Sequence, residues 1–185
     1  MNSTLIIIRG IPGSGKSYLA RKLQQSLGTE NVVVLDPDSI DKGSEAFRTF
    51  SQRLKADGVD EKFHPFRFLR QTGYDGILAG KTVIWNQAFN DFNGFEITVA
   101  RMKEFAKEHD VDLRVLVVEI EIDKETAATR IAARVAGGGH DVPREKLDKF
   151  AEEYESFAGR GYDTVTVNGA GGSEASVATI TTALA

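Results

Sequence analysis

The sequence predicts an α/β fold of three layers, α/β/α, with a mostly parallel sheet between two layers of helices. Three observations predict it. Short apolar runs rich in β-branched residues recur at 5–8, 32–35, 83–85, 113–118 and 165–167. Most are apolar at successive positions, which suits strands buried on both faces. Between them apolar residues repeat every three or four positions: Leu19, Leu23, Leu27; Phe92, Phe95, Val99, Met102, Ala106; Ala127, Ile131, Val135. That spacing lines one face of a helix. Strand–helix alternation of this kind implies right-handed βαβ units, and 185 residues suit a single domain, 1–185.

Composition narrows the chemistry. Hydrophobic residues at 41% and charged residues at 27% support an ordinary core. The absence of cysteine excludes a disulfide, a zinc–thiolate site and a thiol nucleophile. A net charge of −4 argues against an overall basic field for nucleic acid, while leaving room for a local groove. His64, His109 and His140 lack metal-ligand spacing. The apolar run at 5–8 is too short for a signal peptide or a membrane span, so a cytoplasmic setting without a membrane partner is expected.

Three segments break the strand–helix rhythm. Residues 43–80 read as a mostly helical insertion after the second strand, broken at Gly58 and at His64-Pro65. Residues 137–143 form a glycine hinge, with Pro143 placed to open the next helix. Residues 168–173 are glycine-rich and read as a simple turn before a last helix.

The strongest signal is Gly10-Ile11-Pro12-Gly13-Ser14-Gly15-Lys16-Ser17, followed by Tyr18, which satisfies the P-loop pattern at every required position. Glycines let several backbone N–H groups turn toward phosphate oxygens, and the following helix offers its positive end to the same anion. Strand 5–8 and helix 18–27 supply the required context. The pattern assigns residues 10–18 to ATP, Lys16 to its β- and γ-phosphates and the Ser17 hydroxyl to Mg²⁺. No G-x-G-x-x-G spacing fits the loop, which excludes a dinucleotide reading, and no N-K-x-D motif points to a GTPase.

The second strand ends in Asp36-Pro37-Asp38. In an open parallel sheet this is the ligand-bearing edge. A carboxylate there can accept the proton of an acceptor hydroxyl. Asp38 is the candidate base and Asp36 the candidate Mg²⁺ partner; both also suit a simple turn around Pro37. Further on, Arg130 and Arg134 share a helix face that runs into the glycine hinge, as a lid spanning about 130–150 would require. A guanidinium there can meet the charge of a transferring phosphoryl group, with Arg144 adding a contact from the second lid helix. Surface pairing, for instance of Arg130 with Glu125, is the competing reading.

With these landmarks in order, the chain from residue 5 to about 157 resembles the P-loop kinases grouped with phage polynucleotide kinase and the zeta toxins. The resemblance implies a P-loop NTPase fold with five parallel strands in the order 2-3-1-4-5 and a helical lid. It also implies Asp38 as acceptor base and Arg134 as the residue on the γ-phosphoryl group. The third strand departs from many P-loop proteins, ending Trp85-Asn86-Gln87 with no carboxylate to hold Mg²⁺ through water. The expected activity is phosphoryl transfer from ATP to an acceptor hydroxyl, either a nucleic-acid or nucleotide 5′-hydroxyl or a small molecule such as a nucleotide-sugar. An ATP-binding switch without an acceptor is the reading from another class. Residues 48–70 carry six cations against three carboxylates, interleaved with Phe63, Phe66 and Phe68. That mix suits either a grip on a phosphate-bearing acceptor or a solvated face over a phenylalanine core.

Overall fold

The computed structural model describes residues 1–185. Five strands, β1 (Asn2–Arg9), β2 (Val32–Leu35), β3 (Thr82–Asn86), β4 (Asp112–Glu121) and β5 (Asp163–Asn168), form one sheet in the order β2-β3-β1-β4-β5. Every neighbouring pair is parallel. Four strands outrun their apolar cores, because ladder bonding continues into polar ends: Asn2 pairs with Asp112 and Glu121 with Asn168.

Seven helices cover the sheet: α1 (Lys16–Leu27), α2 (Glu45–Ala56), α3 (His64–Leu78), α4 (Phe92–Glu108), α5 (Lys124–Ala136), α6 (Arg144–Glu152) and α7 (Ser173–Leu184). The successive apolar residues of β1 divide between two cores. Leu5 and Ile7 join Leu69, Ile77, Phe95, Val99 and Met102 of α3 and α4, whereas Ile6 and Ile8 join Leu19, Leu23 and Ile180 of α1 and α7. This two-sided burial is why the strand sequence does not alternate. No helix is long and apolar enough to cross a membrane.

The insertion after β2 is the hairpin of α2 and α3. Ser44 caps α2, its Oγ accepting from the Phe47 N–H at 3.2 Å, and the helix stops before Gly58. Pro65, expected to mark a break, instead lies in the first turn of α3, where a missing N–H costs nothing. Pro143 is the residue preceding α6, as its position suggested.

Two charged residues lie inside the fold. Arg9, at the end of β1, and Glu119, opposite it on β4, are both essentially solvent-free and form an ion pair. Breaking such a pair costs roughly 3–5 kcal/mol, because one charge is left stranded. The ring of Tyr154 packs over the Arg9 guanidinium at 4.3 Å, and its hydroxyl is buried without a partner. Burial pushes that hydroxyl's pKa up to about 12. An unsatisfied buried hydroxyl costs about 1–3 kcal/mol, so Tyr154→Phe is expected to stabilise the chain by about 1 kcal/mol. Urea denaturation checks this; a midpoint at or below that of the parent chain refutes it.

Candidate active site

All five strands are parallel, so their carboxyl ends, with Arg9, Leu35, Asn86, Glu121 and Asn168, share one edge. The P-loop rises from β1 at that edge. Gly15 precedes α1 in the left-handed region, at φ +96°, and no acidic residue occupies the first turn of the helix. The helix end is therefore free to attract an anion. Lys16 Nζ donates to the carbonyls of Gly10 at 2.8 Å and Ile11 at 3.0 Å, which folds the ammonium back over the loop. Burial lowers its pKa to about 8; the charges of Asp38 and Asp36 pull it upward and Arg134 pushes it down. A partly buried ammonium held only by carbonyls is suited to an incoming phosphate. Ser14 is buried with an unpartnered hydroxyl.

Ile11 does not face the ligand edge. It is buried against Ala127, Ile131 and Leu147, and fastens the loop to α5 and α6. Gly10 likewise serves through its carbonyl. Pro12, Gly13, Gly15, Lys16, Ser17 and Tyr18 line the central cavity.

Beside Lys16, Ser17 Oγ donates to Asp36 Oδ2 at 3.2 Å. Asn86 Nδ2, from the end of β3, donates to the same Asp36 oxygen at 2.6 Å and to Ser17 Oγ at 2.9 Å. The turn reading of Asp36 also holds: its Oδ1 accepts from the Asp38 N–H at 2.9 Å and caps the short turn Pro37–Ser39. Asn86 therefore stands where many P-loop proteins place a carboxylate. Its Oδ1 is buried and has no partner in the protein. A hydroxyl, one carboxylate and an open amide oxygen suit Mg²⁺, which keeps several waters and takes few protein ligands. No cluster of three or more His, Asp or Glu residues is present.

The central cavity, about 560 Å³, brings the other expected residues together: Asp36, Asp38, Arg130 and Arg134 line it with the P-loop. Asp38 is exposed. Arg130 reaches over the loop, its Nη1 lying 3.7 Å from where a Gly15 Cβ would be, and Gly139 of the hinge packs against the stem of Arg134. Neither arginine has a carboxylate partner; Glu125 pairs with Arg144 instead, Arg144 Nη2 donating to Glu125 Oε1 at 2.5 Å. This corrects two expectations. Arg130 is not tied to Glu125, and Arg144 is not on the cavity. Arg144 bridges α6 to α5 through Glu125 and pairs with Asp148 of its own helix, while His140, Val142, Lys146 and Phe150 supply a further wall of the cavity.

Two further expectations change. The loop at 168–173 is more than a turn: Asn168, Gly169, Gly171 and Ser173 line a second cavity of about 300 Å³ with Gly15, Tyr18 and Arg130. Glycine content gave no sign of this, since the other wall comes from the P-loop. In the insertion, only Phe66 reaches the central cavity. Phe68 packs edge-on against Phe47 and Phe50. Arg48, Arg53, Lys55, Lys62 and Arg67 are exposed, and neither they nor Arg70 line the cavity. Gln87, singled out in the sequence with Asn86 at the end of the third strand, lines the cavity, and Trp85 Nε1 donates to its Oε1 at 3.0 Å.

Comparison with solved structures places the fold. A gluconokinase from Sinorhizobium meliloti 1021 aligns over 98% of this chain and 91% of its own, with a TM-score of 0.59 and 17% identity. A sugar kinase from Janibacter sp. HTCC2649 aligns over 100% and 95%, with a TM-score of 0.60 and 14% identity. A deoxyadenosine kinase from M. mycoides aligns over 97% and 98%, with a TM-score of 0.54 and 15% identity. At these identities the likeness is one of fold. No curated protein matches the chain. The family profile described as AAA domain matches residues 5–157, which covers the P-loop, Asp36, Asp38, Asn86 and the whole lid, and the chain belongs to that family.

Proposed function

We propose that the protein is an ATP-dependent phosphotransferase acting on the hydroxyl of a small molecule. The observation that carries this reading is the joint lining of one cavity by Lys16, Ser17, Asp38, Arg130 and Arg134. A binding switch has no use for an unpaired carboxylate facing the phosphate loop. The kinase names of the three neighbours support the same reaction class.

The proposed steps use the residues of this cavity. The P-loop amides and Lys16 would hold the triphosphate, and the cavity between Tyr18, Arg130 and the 168–173 loop would take its adenine. The acceptor oxygen attacks the γ-phosphorus, the bond to the β–γ bridging oxygen breaks, and ADP leaves. Asp38 takes the acceptor proton, and Arg130 and Arg134 stabilise charge on the equatorial oxygens. Mg²⁺, held by Ser17 and Asp36 with Asn86 beside them, would neutralise β- and γ-phosphate charge when bound. Residues 1–185 act as one unit, with 43–80 over the acceptor side and 130–150 as the lid.

A small acceptor is preferred to a polynucleotide end, despite the likeness to polynucleotide kinase, because the basic residues of the insertion do not line the cavity. A polynucleotide end needs cations tracking its backbone. The zeta-toxin-like reading, with a nucleotide-sugar acceptor, falls within the preferred class. The test is a transfer screen with γ-labelled ATP and Mg²⁺ against 5′-hydroxyl oligonucleotides, nucleosides, nucleotide-sugars and sugar acids, with Lys16→Ala as control. A labelled small-molecule product absent from the control supports the proposal. A labelled oligonucleotide alone overturns the acceptor class. ATP binding without any product overturns the enzyme.

The metal site makes its own prediction. Asn86→Ala removes the amide between Ser17 and Asp36 and is expected to raise the Mg²⁺ concentration needed for fluorescent-ATP binding by about 10-fold or more. An unchanged Mg²⁺ titration would remove Asn86 from the site.

A further inference from the structure

Arg9 immediately precedes the P-loop yet does not line the central cavity. Its side chain is completely buried on the α3–α4 side of the sheet, below the site. Nη1 meets Glu119 and donates to the Glu155 carbonyl at 2.6 Å; Nη2 donates to the Phe89 carbonyl at 3.2 Å. The rings of Phe157 and Tyr154 lie 3.5 and 4.3 Å from the guanidinium carbon. Glu119 in turn accepts from Ser156 Oγ at 2.5 Å and from the Phe157 N–H at 2.7 Å. One ion pair thus binds four pieces of chain: β1, β4, the connection after β3 and the segment leaving α6.

Two of those pieces border the site. Phe89 adopts φ +44°, a left-handed conformation that strains a bulky residue. Its ring is buried against Trp85 and Phe95, and its carbonyl is held by Arg9. The residues just before it, Asn86, Gln87 and Ala88, form one wall of the cavity. The chain at 153–157 is the root of the lid, whose Lys146 and Phe150 form part of another wall. An apolar pair could fill the same interior without the desolvation cost of two charges. What it could not do is aim the Phe89 and Glu155 carbonyls, because only directional donors specify orientation.

We infer that Arg9 is a positioning residue: through Phe89 and Glu155 it sets the 86–90 wall and the root of the lid relative to the P-loop. It governs the acceptor side of the site and, once Mg²⁺ is saturating, leaves ATP binding alone. The kinetic part of this inference rests on the proposed phosphotransferase reading; the structural part does not.

The test replaces the pair together, Arg9→Met with Glu119→Leu, so that no charge is stranded. In the folded double variant, amides at 86–91 and 153–157 are expected to exchange hydrogen about tenfold faster than in the parent chain, while α1 and α7 keep their protection. At saturating Mg²⁺, fluorescent-ATP affinity stays within about twofold, and kcat for transfer to the acceptor found by the screen falls about tenfold or more. Unchanged protection of both segments overturns the inference, as does equal loss of protection throughout. Should the double variant not fold, Arg9→Lys decides, since it keeps the charge and gives up the fixed fork of guanidinium donors: faster exchange at both 86–91 and 153–157 supports the inference, and none refutes it. A parent chain that transfers no phosphate refutes the kinase reading and leaves exchange to decide this one.

Discussion

Asp38→Asn is expected to bind ATP within about twofold of the parent chain and to transfer phosphate about a thousandfold more slowly. The substitution nearly preserves shape and removes the negative charge together with the ability to take a proton. The local turn survives it, because the turn is capped by Asp36, whose Oδ1 accepts from the Asp38 backbone N–H rather than from its side chain. Asp38 is exposed at the cavity beside Lys16, where its charge raises the lysine's pKa. Removing that charge slightly weakens Lys16 as a cation and also relieves repulsion of the triphosphate, so the two effects on ATP affinity oppose each other. Steady-state transfer measured beside equilibrium ATP binding separates chemistry from binding. Transfer retained above a tenth of the parent rate would exclude Asp38 as the base.

Gly13→Ala is the second large effect, and it comes from shape. Gly13 sits at φ +81°, and a Cβ built there would lie 2.5 Å from the Ala127 carbonyl oxygen and 3.1 Å from Ile131 Cγ1. The left-handed backbone costs an alanine about 1–2 kcal/mol. The contact with α5 backbone cannot be relieved by turning a side chain, and such overpacking adds about 1–3 kcal/mol. Moving α5 away would carry Arg130 and Arg134 with it. The expected result is a clearly lower melting temperature and ATP affinity weakened by about tenfold or more. Gly15→Ala is the comparison: its φ is +96°, but its Cβ would meet only the end of Arg130 at 3.7 Å. Equal losses of melting temperature in the two variants would mean that the approach of α5 contributes nothing.

Several parts of this protein were legible because their cause is local. The P-loop is read from eight consecutive residues, since turn, amides and helix end are all made within that stretch. The strands are read from runs such as Leu5 to Ile8, because burial on both faces demands apolar residues at every position. The strand order, inferred only through resemblance, agrees with the sheet. Arg130 and Arg134 fall on one cavity because four residues return a helix to the same face.

Other features have no local cause. Asn86 looked like a missing carboxylate; parallel pairing of β3 beside β1 brings its amide to Ser17 and Asp36, 69 and 50 residues away. Residues 168–173 looked like a turn, and become a cavity wall because β5 ends on the same edge as the P-loop. The cations of the insertion suited either a grip or a solvated face, and the helix faces of α2 and α3 that pack inward leave all but the half-buried Arg70 in solvent. Arg9 and Glu119, 110 residues apart, carried no signal as a pair.

The sequence alone determined the P-loop motif and the class of fold, since short-range backbone geometry and burial periodicity dictate both. Which polar groups face the acceptor, and which merely hold the walls in place, was decided only by tertiary structure. Hydrogen bonds and ion pairs act over about 3 Å, and only the folded sheet brings such distant residues that close.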